Sequence, residues 1–147
     1  MKEGYIPKEK RKKILLLSDD IRTHSGIGTM SKEIVFNTCH RYNWFNIGGA
    51  INHPDKGKAF DLSDEVNRLT GIPDSNVRVL ANDGYGNSGL LRAVIRQEKP
   101  DAILHFTDPR YWIWLYRMEN EIRQKIPMIF YTIWDDVPYP MYNRDFY

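Results

Sequence analysis

Lys13-Ile14-Leu15-Leu16-Leu17-Ser18-Asp19-Asp20 leads, two residues later, into Thr23-His24-Ser25-Gly26-Ile27-Gly28-Thr29. An apolar run without a polar break suits a strand buried on both faces, as strands of parallel sheets are. The residues that follow the turn place Ile27, Met30, Ile34, Val35 and Thr38 at helical spacing, so Ile27–Arg41 reads as a helix burying one stripe. Strand, glycine turn and helix start together make an anion seat. The glycines let backbone come close to a ligand, and the first amides of the helix point at whatever sits in the loop.

Outward from this unit, strand-like and helix-like patterns alternate. Trp44–Ile51 is a strand, and its Gly48-Gly49 marks a bulge or a close backbone approach. Residues 52–75 are polar and hold Pro54, Gly57, Gly71 and Pro73, with a short helix at Leu62–Leu69 capped by Ser63 or Asp61. Val77–Ala81, Asp101–Phe106 and Pro127–Ile133 read as strands, Leu90–Gln97 and Tyr111–Gln124 as helices. Parallel neighbours need crossover connections. The expected fold is therefore α/β: a doubly wound, mostly parallel, Rossmann-like sheet of about five or more strands with helices on both faces. Residues 1–12 form a basic arm and residues 13–147 one domain.

Composition excludes several classes. A net charge of +2, from 21 basic and 19 acidic residues, carries no general polyanion signal, so no nucleic-acid partner is expected. The run Lys8, Lys10, Arg11, Lys12 and Lys13 reads as a solvated arm. Cys39 is the single cysteine and cannot form an internal disulfide, which suits a reducing compartment. No segment has the apolar length of a membrane span, and the N-terminus lacks the apolar core of a signal peptide, so a cytoplasmic protein is expected.

Open parallel sheets bind ligands outside the carboxyl ends of their strands. The residues to watch there are Asp19, Asp20 and His24; Asn82 to Gly89; Thr107, Asp108 and Arg110; and Trp134, Asp135 and Asp136. Asp or Ser in such places also serves as an ordinary helix cap. A second glycine motif, Gly84-Tyr85-Gly86-Asn87-Ser88-Gly89, matches G-x-G-x-x-G, with Asp108 at the distance of a ribose-binding acid. It supports an alternative reading as an NAD(P)- or nucleotide-binding protein that uses Gly84, Gly86, Gly89 and Asp108. Against it, the motif follows the third strand, and Asn87 and Ser88 can act simply as caps. Tyr111, Trp112, Trp114, Leu115 and Met118 crowd one helix, with Asp108 placed to cap it and Pro109 at its first position. Tyr111, Leu115 and Met118, or Trp112 and Tyr116, share faces, so this surface is core or interface. An interface there would make the chain a noncatalytic interaction module. No His/Cys spacing suggests zinc, and Asp135 and Asp136 diverge if extended, so no metal site is expected.

Taken in order, the Lys13–Asp20 strand, Ser25-Gly26-Ile27-Gly28, Asp101-Ala102-Ile103-Leu104-His105 and Tyr131-Thr132-Ile133-Trp134-Asp135-Asp136-Val137-Pro138 resemble the N-terminal half of family 4 retaining glycosyltransferases of the GT-B fold. Those enzymes set two Rossmann-like domains across a cleft. The resemblance implies transfer of a sugar from a nucleotide-sugar co-substrate to an acceptor hydroxyl, with no other cofactor. Ser25, Gly26 and Gly28 map onto the Gly-Gly-Ile-Gly turn that approaches the donor diphosphate, and His24 adds charge beside it. Asp101 and His105 map onto Asp-x-x-His; Thr132, Trp134 and Asp135 map onto Thr-x-His-Asp, with Trp134 in place of the histidine. The implied catalytic set is Asp108, Asp135 and His105, and the implied acceptor contacts are Arg110, Tyr111 and Trp134. The family's donor domain, with its paired glutamates, follows this segment. The chain is therefore expected to be an acceptor-side half, inactive alone, that partners such a domain or self-associates through its C-terminal stretch around Trp134, Tyr139, Tyr142 and Phe146.

Overall fold

The computed structural model describes residues 3–50, 57–83, 86–107 and 112–132. The apolar run of the opening motif becomes β1 (Lys12–Asp19), and its lack of polar breaks has a direct cause. It lies between two parallel neighbours, β2 (Tyr42–Ala50) and β5 (Ala102–Thr107), with Leu16 in register with Asn46 on one side and Leu104 on the other. Adding β3 (Ala59–Asp61), β4 (Val77–Asp83) and β6 (Met128–Thr132) gives a six-stranded sheet in the order β3-β4-β2-β1-β5-β6. All pairings are parallel except that of β3 with β4.

Alternate residues of the same strands enter two core clusters, which places the clusters on opposite faces of the sheet. Leu15, Leu17, Phe45, Ile47 and Ile103 pack with Leu91 and Val94 of α3 (Ser88–Glu98), Leu115 and Tyr116 of α4 (Ile113–Arg117) and Ile122 of α5 (Glu119–Arg123). Leu16, Trp44, Val77, Val79 and Phe106 pack with Val35 of α1 (Gly26–Thr38) and Val66 of α2 (Ser63–Thr70). The α/β, Rossmann-like expectation thus holds. Among the described residues no helix is long and apolar enough to cross a membrane.

Three local expectations are corrected. The stretch read as polar loop contains β3, whose three residues are too few to show strand alternation. The helix expected at Tyr111–Gln124 is two short helices, because the backbone at Met118 leaves the helical region (φ −104, ψ 10). Trp112 precedes α4 without a side-chain capping hydrogen bond, and Asp108 and Pro109 lie outside the described residues. Finally, the basic arm is not simply solvated. Lys8 and Lys10 are exposed, but Arg11 is buried, donating to the Ile6 carbonyl at 2.6 Å and pairing with Asp74 at 2.5 Å. Tyr5 also donates to Asp74.

Candidate functional site

The strand order reverses at β1. The chain winds from β1 through β2 to β4 on one side, then crosses back to β5 and β6 on the other. Ligands of doubly wound sheets bind at such a reversal, outside the strand ends. The turn between β1 and α1 stands there, and the residues around it hold it tightly. Asn46, buried on β2, accepts from the Ile21 amide at 3.2 Å and donates to the Leu16 carbonyl and the Ser18 hydroxyl. The Asp20 amide donates to the Gly49 carbonyl at 3.1 Å, and the Thr23 hydroxyl to the Asp20 carbonyl at 2.7 Å. Gly48 is the close backbone approach anticipated at Gly48-Gly49: a Cβ there would stand 2.7 Å from the Asp20 Cα.

Ser25 caps α1, its Oγ accepting from the Gly28 amide at 2.9 Å while donating to Asp19 Oδ2 at 2.7 Å. The two glycines of the turn differ in what they do. A Cβ at Gly28 would come within 3.0 Å of the Asp20 carbonyl and the Ser25 hydroxyl, so this glycine lets turn and helix close together. A Cβ at Gly26 would meet nothing within 4 Å, so packing does not require this glycine. Among the described residues nothing hydrogen-bonds the Gly26 and Ile27 amides. His24 and Ser25 are exposed on the same turn.

Asp19 ends β1, and its sequence context alone does not distinguish it from the other acids of the rim. Its Oδ1 is buried without a hydrogen-bond partner. Burial pushes its carboxyl above the ordinary carboxylate range, with the Ser25 hydroxyl pulling it back only in part. The neighbouring Asp20 is instead engaged by Arg22, at 2.7 Å, and the Arg22 guanidinium lies 4.1 Å over the Phe60 ring of β3. Among the described residues no group of three metal-ligating side chains comes together.

His105 is a correction. It sits fully enclosed on β5, edge-on to Trp112, Tyr116 and Phe130 with ring centroids 4.8, 5.8 and 5.5 Å away. Neither ring nitrogen has a hydrogen-bond partner, and burial pushes its pKa down to about 3. A neutral ring walled in by aromatics offers no proton to a substrate on the rim. Asp108, Arg110, Tyr111, Trp134 and Asp135 lie outside the described residues, as do Asp136 and the C-terminal aromatics. Trp112, Leu115, Tyr116 and Met118 are buried, which makes the aromatic helix core.

The second glycine motif follows β4, two strands from the reversal. Gly86 has φ +85, a conformation glycine tolerates best, and Asn87 caps α3 by accepting from the Leu90 amide at 2.9 Å. Gly84 lies outside the described residues. A groove of about 370 Å³ between α3 and α5, lined by Arg92, Arg96, Glu121 and Lys125, is set on helix surfaces and touches none of these strand ends. Comparison with protein-family models, curated proteins and solved structures gives no match.

Proposed function

We propose that the chain supplies the acceptor-side wall of a glycosyltransferase of the GT-B kind, with the β1–α1 turn facing the diphosphate of a nucleotide sugar. The observation that carries this reading is the pairing, at the point of strand reversal, of a glycine with open space where its side chain would be and two unengaged helix amides. Backbone N–H groups at a helix start suit phosphate oxygens. In this reading the amides of Gly26 and Ile27 bind the diphosphate, and exposed His24 lies beside it. A second domain holds the sugar and base.

Asp19 gives the reading its chemistry. A carboxylate beside a diphosphate repels it, and burial, which raises the Asp19 pKa, disfavours the charged form. Its Oδ1, without a partner inside the fold, leaves this carboxyl with a spare acceptor at the strand end. Transfer then rests on placing the two substrates and on stabilising the leaving diphosphate.

The test follows from the sign of the charge. Asp19→Asn removes a negative charge near the phosphates, worth about 1–2 kcal/mol for a separation of about 8–16 Å at an effective dielectric of about 20. Nucleoside diphosphate binding, measured by calorimetry at neutral pH, should tighten about tenfold. Unchanged or weaker binding would remove Asp19 from the site.

A further inference from the structure

The sheet ends on two unlike edges. At one, β3 has three residues, among them exposed Asp61, and exposed Lys58 precedes it. Shortness and charge are what keep an edge strand from pairing with another chain. At the other, β6 reads Met128-Ile129-Phe130-Tyr131-Thr132, without charge, glycine or proline, and among the described residues it pairs with β5 alone. Met128 and Phe130 join the core around Tyr116. Ile129 and Tyr131 point to the opposite face and are each 57% exposed, whereas Phe106, in register with Tyr131 on β5, is 2% exposed. Two large apolar side chains thus stand in water along an edge strand that carries none of the usual protections.

We propose that β6 pairs antiparallel with β6 of a second copy of this chain, about a two-fold axis at Phe130, so that two sheets join into one. The pleat sets the register. A two-fold axis normal to the sheet keeps each face on its own side, so opposed residues must share a face, and only a pairing centred on Phe130 opposes all five residues. Ile129 of each copy then lies opposite Tyr131 of the other, a β-branched and aromatic pair of the kind that stabilises antiparallel strands. Charge selects the occupant. Arg123 and Lys125 precede the strand, Asp135 and Asp136 follow it, and Lys125 and Asp135 each stand five residues from Phe130 in sequence. A partner of one sign would be repelled at one end of this edge, whereas an antiparallel copy brings basic end to acidic end twice. The surface lies two strands from β1 and does not depend on the phosphate seat.

Sedimentation equilibrium of the full chain over a series of concentrations provides the test. The parent should distribute between monomer and dimer, and Ile129→Lys should weaken the dimer by about tenfold or more, since it removes both cross-strand pairs and sets two cations on the edge. Because Ile129 is already exposed, the variant's melting temperature in dilute solution should match the parent's. Lys125→Glu should also weaken association, and adding Asp135→Lys should restore it. The register is read by cross-linking: Ile129→Cys mixed with Tyr131→Cys should form a disulfide between copies under mild oxidation, faster than either variant alone, while Cys39 stays buried. A parent that is monomeric at every concentration, a dimer untouched by Ile129→Lys, or a mixture that cross-links no faster than its components would overturn the proposal. So would a dimer abolished by Phe146→Ser, which would move the contact to the C-terminal stretch.

Discussion

His105→Leu flattens the acid limb of the stability profile. In the parent chain the imidazole is held at about 3 by burial, against an ordinary 6.5. Between those values the unfolded chain binds a proton that the folded chain refuses, so stability falls as pH drops below about 6.5. Each pH unit across the window is worth about 1.4 kcal/mol, or about 4–5 kcal/mol by pH 3. Leucine carries no proton and fills the space among Trp112, Tyr116 and Phe130 with an apolar group of similar volume. It also removes two unpartnered nitrogens, so stability at pH 7 should be equal or higher. Guanidinium unfolding at pH 7, 5 and 4 reads the effect. Equal slopes against pH in parent and variant would show that the histidine is hydrogen-bonded or hydrated.

Arg11→Ala is the second large effect, because the guanidinium is the hub of the amino-terminal clasp. Its side chain is wholly buried and donates to Asp74 Oδ1 at 2.5 Å, to the Asp74 carbonyl at 2.8 Å and to the Ile6 carbonyl at 2.6 Å. Removing it leaves the Ile6 and Asp74 carbonyls without their donor and the partly exposed Asp74 carboxylate without its ion pair, which costs about 2–3 kcal/mol. Lysine should not rescue, having no planar fork to reach three oxygens. Asp74 is held below the ordinary carboxylate range: burial alone would raise it, but hydrogen bonds from Tyr5, Arg11 and the Lys8 amide outweigh that. Its contribution is therefore present at neutral pH and lost as pH falls through the lowered value. A chemical denaturation midpoint for Arg11→Ala within experimental error of the parent would mean that the clasp adds nothing to the fold.

The architecture was legible where local pattern and connection rules agree. An unbroken Ile14–Leu17 run called for cover on both faces, and strands alternating with helices called for a mostly parallel sheet; both are found. What escaped depends on partners distant in sequence. Arg11 looked like one charge in a basic run because Asp74, 63 residues away, is invisible to local reading. Asp19 looked like any acid after a strand, and only the placement of Ser25 and the packing around Oδ1 single it out. His105 matched a short motif, yet it lies within the apolar stretch Ala102–Phe106, a signal of burial that the motif match overrode. Three-residue β3 left no periodic trace at all.

The phosphate seat is tested most directly by calorimetric titration of a nucleoside diphosphate sugar into the parent chain and into Gly26→Val. A Cβ at position 26 meets nothing within 4 Å of the protein, so the variant should fold with an unchanged melting temperature. Its branched side chain would nevertheless occupy the space through which phosphate oxygens reach the helix amides. The parent should bind and Gly26→Val should bind at least tenfold more weakly. Undiminished binding by a folded Gly26→Val, or no binding by the parent, would contradict the assignment of this turn.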